Sequence, residues 1–208
     1  MNLQFIADGL ISGSLIGLGA IGITLTYSIL RFSNFAHGDF MAWGAYGTLS
    51  VVAAIGALVG TTAPIGALSF GWPLILATLI GMVLTACLAL ALDWLLFARL
   101  RDRGQSIIVV MASFGASMAL RSLLEFIFTS SPTYFSRGIQ MAIPVGAGIR
   151  ITPDQMVMLA TTIILVTAMH LFMQRSQRGR EMRAYSQNPA LARVVGIDVA
   201  KVIRATWI

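Results

Sequence analysis

Five stretches of about 20 predominantly apolar residues occupy most of this chain, at roughly Gly9–Leu30, Phe40–Gly60, Pro73–Phe97, Ile107–Phe128 and Gln155–Met173. A helix crossing the hydrocarbon layer of a bilayer needs about that length at 1.5 Å per residue. Lipid offers no partner to backbone N–H and C=O groups, so such runs can cross only as helices or closed barrels. A sixth apolar start lies near Val202 and reaches Ile208. Of the 208 residues, 57% are hydrophobic and 11% charged, where a soluble domain carries about 25% charged residues. The expected fold is an all-α, polytopic transmembrane helical bundle with about five complete spans and a truncated sixth.

The distribution of charge sets the expected orientation. The segment 61–72 has no charged residue, and 129–154 carries only Arg137 and Arg150 among basic residues. By contrast, 98–106 holds Arg99, Arg101 and Arg103, and 174–204 holds Arg175, Arg178, Arg180, Arg183, Arg193, Lys201 and Arg204. Lys and Arg concentrate in cytoplasmic loops. The two basic segments are therefore expected inside, 61–72 and 129–154 outside, and the 31–39 connection inside by alternation. The net charge of +6 follows this pattern and forms no nucleic-acid-binding face. No basic n-region precedes the first apolar run, so no cleavable signal peptide is expected.

Several chemistries have no support in the residue pattern. A single Cys, Cys87, and two His, His37 and His170, offer no metal-ligand spacing. Cys87 is expected as a small buried hydrophobe. There is no phosphate-cradling Gly-Lys-Ser/Thr loop, so this chain is not expected to hydrolyse a nucleotide. Ser113 lies in an apolar run without an elbow motif. The chain is not expected to be an enzyme, and neither a catalytic residue nor a cofactor is assigned to it.

The stretch "RFSNFAHGDFMAWGAYG", Arg31–Gly47, sets polar residues between two apolar runs. His37 and Asp39 are two residues apart, so on a helix they point to different faces. Polar groups at membrane depth usually face a bundle interior or a water-filled cavity, and broken helices expose backbone groups that can bind substrate. Asn34, His37, Gly38 and Asp39 are therefore candidates for a translocation path. The alternative is a short solvated connection with Asp39 capping the next helix.

Further features are read as structural. Arg121 and Glu125 are four apart in the fourth span and are expected to form an intramembrane ion pair. Asp93 is expected to pair with Arg99 or a nearby Arg as an interfacial anchor. Gly9, Gly13 and Gly17, with Ser12, Ile16 and Ala20, put small residues on one face of the first span, which is expected to pack tightly within the bundle. The Pro-rich 129–154 segment is expected to hold a short strand or an interfacial helix, ending in a Thr152-Pro153-Asp154 helix cap. Asn188 and Pro189 start a short helix with an apolar stripe of Ala190, Leu191, Val194 and Val195, ending at Gly196. That helix either lies on anionic lipid or docks into a groove on a soluble partner.

Two stretches, "LRFSNFAHGDFMAWGAY" and "GREMRAYSQNPALARVVGID", resemble the permease subunits of bacterial ABC importers for branched-chain amino acids, the LivH type. "RGI" at Arg137–Ile139 adds to the likeness. The resemblance implies a multi-pass protein of the bacterial inner membrane. It implies a second permease subunit, two cytoplasmic ATPase subunits that consume ATP, and a periplasmic amino-acid-binding protein as partners, with the lipid bilayer as surroundings. The alternatives it leaves are a permease for urea or short amides and, from the titratable residues alone, a proton-coupled carrier. It further implies that Arg183, Ala184, Ala192, Gly196 and Ile197 belong to a cytoplasmic coupling loop, 174–201, that docks on the ATPase. Arg183 stands near where relatives of this loop often carry an acidic residue. Family members continue through further spans, so residues 1–208 are expected to be one permease domain, incomplete at its C-terminus.

Overall fold

The computed structural model describes residues 3–60, 64–101, 106–129, 131, 133–135, 140–146 and 148–207. Its long helices are α1 (Leu3–Leu30), α2 (His37–Val59), α3 (Trp72–Leu92), α5 (Ser106–Phe128) and α6 (Pro153–Arg175). A π-helical turn, Asp93–Phe97, carries α3 on into the short α4 (Ala98–Arg101). Taking Trp72–Arg101 as one, five helices are long and apolar enough to cross a membrane. The protein is a multi-pass, all-α bundle.

The five expected spans are all present, and their ends show where sequence reasoning drew them too short. α1 begins at Leu3 because Leu3, Phe5 and Ile6 extend the apolar run past Asp8. The third span continues through its basic end because the arginines find partners along the same helix. Arg101 pairs with Asp93 at 2.6 Å, and the Arg99 guanidinium lies 5.4 Å over the Trp94 ring. The anchor for Asp93 is thus Arg101 and not Arg99. Cys87, expected buried, is exposed on α3.

The two ends of the bundle divide as the charge pattern requires. At one end, the Gln4 side chain bonds the backbone of Arg150 at 2.8 and 3.1 Å. Asp154 there accepts from Ser69 N at 3.1 Å and from Gln140 Nε2 at 2.9 Å, which ties 64–71 to 140–154. A small antiparallel hairpin, β1 (Ile143–Gly146) and β2 (Ile149–Ile151), sets Ile143 opposite Ile151. It settles the choice between strand and interfacial helix in favour of strand. Thr152 then caps α6 in a full capping box with Gln155, Pro153 standing in the first turn. Arg137–Ile139 lies outside the described residues.

At the opposite end, the basic segment 174–207 is more structured than expected. It forms α7 (Gln177–Gln187), α8 (Pro189–Val194) and α9 (Val199–Thr206). Each starts on a side-chain cap: Ser176 accepts from Gly179 N, Asn188 from Leu191 N and Asp198 from Lys201 N. α9 starts three residues before the expected sixth span and lies against the bundle, with Val202, Ile203 and Trp207 buried. Ile29, Met182, Tyr185, Ala192 and Val202 make one apolar cluster that holds the segment under α1. Arg31, left-handed at φ 61°, donates from its guanidinium to the Ser186 carbonyl.

The small residues that bring helices together are not the ones expected. Gly9, Gly13 and Gly17 have open space where a Cβ would stand, so the small face of α1 is not packed against the described residues of this chain. The close approach lies between α2 and α3. A Cβ on Gly81 would come within 2.3 Å of Thr48 Oγ1, 3.2 Å of the Gly44 carbonyl and 3.3 Å of Thr48 N. Two of those atoms are backbone, which cannot turn aside. Gly81→Leu is expected to force α2 and α3 apart at about 1–3 kcal/mol, the usual range for overpacking. Thermal unfolding of the purified protein in detergent measures the loss, with Gly56→Ala, a site open to a Cβ, as the control.

Candidate functional site

The connection between α1 and α2 is a break inside the membrane-length part of the bundle. Phe35 N donates to Ser113 Oγ at 3.2 Å, and Ser113 Oγ–H reaches the Ser33 carbonyl at 3.3 Å and the Val110 carbonyl at 2.7 Å. Ser113 stands seven residues after the start of α5, about 10 Å along the axis at 1.5 Å per residue. The Asp39 carboxylate accepts from the Ser117 hydroxyl, eleven residues after that start and close to the midpoint of α5. Trp43 Nε1 donates to the Leu120 carbonyl at 3.0 Å, one turn further along. The 31–39 connection, expected at the cytoplasmic side, therefore rises from that end into the bundle.

Local chemistry shapes the break. Asn34 Oδ1 accepts from Ala36 N at 3.1 Å, a side chain standing in for a turn's backbone acceptor. Asn34 is buried, and its Nδ2 has no partner among the described residues. α2 begins at His37 with Ala36 in the capping position. Asp39 thus sits in the first turn and does not cap the helix. Phe32 packs on Phe97 with ring centroids 5.5 Å apart, and Phe35 meets Phe114 edge-on at 6.2 Å. Trp207 closes the end that carries the basic segment, stacked on Phe97 at 5.6 Å and edge-on to Phe40 at 6.1 Å.

His37 and Asp39 face opposite sides of α2, as their spacing requires. His37 turns toward α1, where its ring fills the space a Cβ on Gly22 would take, 2.7 Å from Cε1. It lines a cavity of about 860 Å³ with Thr26, Thr48, Thr85, Phe172 and Trp207, among other mostly apolar side chains. Gly38 and Asp39 line a second cavity, of about 570 Å³, between α2 and α5. Arg121 and Glu125 line this second cavity as well. The ion pairs among the described residues are Arg101–Asp93 and Lys201–Asp198, so the expected Arg121–Glu125 pair is not formed. Both residues stand on one face of α5 and line the cavity instead.

The candidate coupling residues separate into two groups. Ala192 is buried, and Ile197 packs against the same cluster. Gly196, at φ 88°, turns the chain after α8 in the left-handed region that favours glycine. Arg183 and Ala184 are exposed on α7. The outer face of α8 is apolar, with Leu191, Val194 and Val195 between 57% and 83% exposed.

Sequence reasoning missed Ser113, set aside as a nucleophile. Its oxygen holds the break by accepting from Phe35 N, while its one proton is shared between the Val110 carbonyl at 2.7 Å and the Ser33 carbonyl at 3.3 Å. A polar residue in the inward stripe of an apolar helix, opposite a polar break, is the signal that could have found it.

Membrane-length helices, with a break between two of them and a cavity on each side, define a polytopic helical membrane protein. The chain belongs to the family described as branched-chain amino acid transport system / permease component, whose model matches residues 5–208. It is 26% identical over 211 residues to the high-affinity branched-chain amino acid transport system permease protein LivH of Escherichia coli K12, covering 99% of this chain and 66% of the relative. It is 24% identical to BraD of Pseudomonas aeruginosa, a permease of the same description, with 99% and 66% covered. It is also 24% identical to a probable branched-chain amino acid transport permease of Methanocaldococcus jannaschii, with 99% and 62% covered. The chain thus spans just under two thirds of the length of the curated relatives it matches. No solved structure matches it significantly.

Replacing Ser113 with Ala leaves Phe35 N without its acceptor in a buried setting. A loss of about 1–3 kcal/mol in stability is expected, read as a lower unfolding temperature in detergent. Ser122→Ala, at an exposed position of α5, is expected to leave that temperature unchanged.

Proposed function

We propose that this chain is the permease subunit of an ATP-binding cassette importer for branched-chain amino acids in the bacterial inner membrane. The observation that carries the reading is the α1–α2 break, held at membrane depth by Ser113 and flanked by two cavities. Irregular backbone at that depth is tolerated where it lines a cavity. Asn34, His37, Gly38 and Asp39 are the residues of the path: Asn34 shapes the turn, and the other three face the cavities. The names of the relatives supply the substrate class.

In this reading a periplasmic binding protein delivers the amino acid, and a second permease subunit completes the pore. Two ATPase subunits engage the cytoplasmic segment and use ATP there. The outer face of α8 fits the ATPase contact because it is apolar, exposed and carried on a segment packed firmly under α1. Within the proposed coupling residues, Ala192, Gly196 and Ile197 set the position of α8, while Arg183 and Ala184 share the exposed side of α7. Movement of the segment would rock the spans as rigid bodies and alternate access to the cavities. A proton-coupled carrier fits less well, because His37 and Asp39 face separate cavities and do not form a relay.

Uptake of radiolabelled leucine by cells carrying the complete operon tests the substrate class. Isoleucine and valine are expected to compete and urea is not; competition by urea alone would overturn the assignment. Leu191→Glu combined with Val194→Glu is expected to reduce co-purification of the ATPase at least tenfold while membrane insertion stays normal. Undiminished co-purification would remove α8 from the contact.

A further inference from the structure

We propose that the cavity between α2 and α5 is a binding site for the charged headgroup of an α-amino acid, its carboxylate at Arg121 and its ammonium at Asp39 and Glu125. The inference rests on the reading of the chain as an amino-acid permease, and assigns to Arg121 and Glu125 a role in place of the ion pair expected of them. Ser117, Arg121, Leu124 and Glu125 project from one face of α5, opposite Gly38, Asp39, Trp43 and Tyr46 of α2. The lining runs from Ser117, near the midpoint of α5, to Thr129 just past its outer end. That is about 18 Å at 1.5 Å per residue, so the cavity descends from the external side and ends at the break.

Charge selects the ligand. One guanidinium and two carboxylates line one cavity between membrane-length helices, where ionised groups usually face protein or water. Arg121 and Glu125 are not within ion-pairing distance of each other, nor of Asp39, among the described residues. The cavity thus offers an opposite charge to each end of a zwitterion, a guanidinium for the carboxylate and two carboxylates for the ammonium. Arg presents a planar fork suited to a carboxylate. Leu120, Leu124, Ala42 and Trp43 supply apolar wall beside these groups, and about 570 Å³ falls within the usual range for small-molecule sites. The larger cavity offers no such complement: its ionisable lining is His37 and Arg178, without a carboxylate.

The test uses the purified permease–ATPase complex in detergent, without binding protein, and places a reporter cysteine at the rim. Thr129→Cys is made in a Cys87→Ser background, Cys87 lying outside both linings. Leucine is expected to slow labelling by a charged methanethiosulfonate at least fivefold, and leucinamide, which lacks the carboxylate, is expected not to. Arg121→Gln is expected to abolish protection by leucine, and Arg121→Lys to weaken it. Equal labelling with and without leucine overturns the proposal, as does protection that survives Arg121→Gln. If both Arg121 variants fail to assemble with the ATPase, Arg121 serves subunit packing and the proposal is likewise overturned. Absence of leucine uptake by the wild-type transporter with its binding protein would instead overturn the broader reading, so the two failures are distinguishable.

Discussion

A polypeptide that stops being helical within a bilayer must find hydrogen-bond partners for its backbone inside the protein, because lipid supplies none. Here the Ser113 hydroxyl meets that requirement at the α1–α2 break, accepting from Phe35 N and reaching the Ser33 carbonyl. Asn34 Oδ1 satisfies a second donor, Ala36 N. With those groups accounted for, the chain can enter α2 well above the cytoplasmic end of α5. The depth of entry then places Asp39 at the middle of α5 and Trp43 against Leu120. Both cavities depend on this geometry, since each is walled on one side by the first turns of α2.

The two cavities differ in kind because α2 presents different residues to each. Its His37 face meets Gly22 of α1 and the close-packed contact with α3 at Gly81, so the larger cavity is mostly apolar with threonine hydroxyls. Its Asp39 face meets the polar stripe of α5. A two-residue offset on one helical turn thus separates a greasy compartment from a charged one.

Much of this was legible in the sequence. Apolar length gave the five spans, and the uneven placement of arginine separated the 64–71 and 140–154 end of the bundle from the end that carries 98–101 and 174–207. The caps at Thr152 and Asn188 followed from local chemistry, because a cap is a contact among residues two or three apart. The facing of His37 and Asp39 followed from helical period alone. Long-range contacts were not legible. Arg121 and Glu125 have the spacing of a pair, yet both line the cavity against α2 without bonding each other. The glycines of α1 read as a packing face, while the tight contact fell to Gly81, which stands alone in its run. α7 carries too few apolar residues to announce itself, α9 reads as the start of a sixth span, and both are ordered by caps and by burial beneath α1.

The aromatic contacts at the cytoplasmic end have a mechanical meaning. Trp207 is flat against Phe97, at the end of the third span, and edge-on to Phe40, in the first turn of α2. It belongs to a segment whose outer face is open and whose inner face, Met182, Tyr185 and Val202, is fastened to Ile29 of α1. Trp207 therefore joins the 174–207 segment to the start of α2 through direct ring contact, and the two cannot shift relative to each other without breaking that contact.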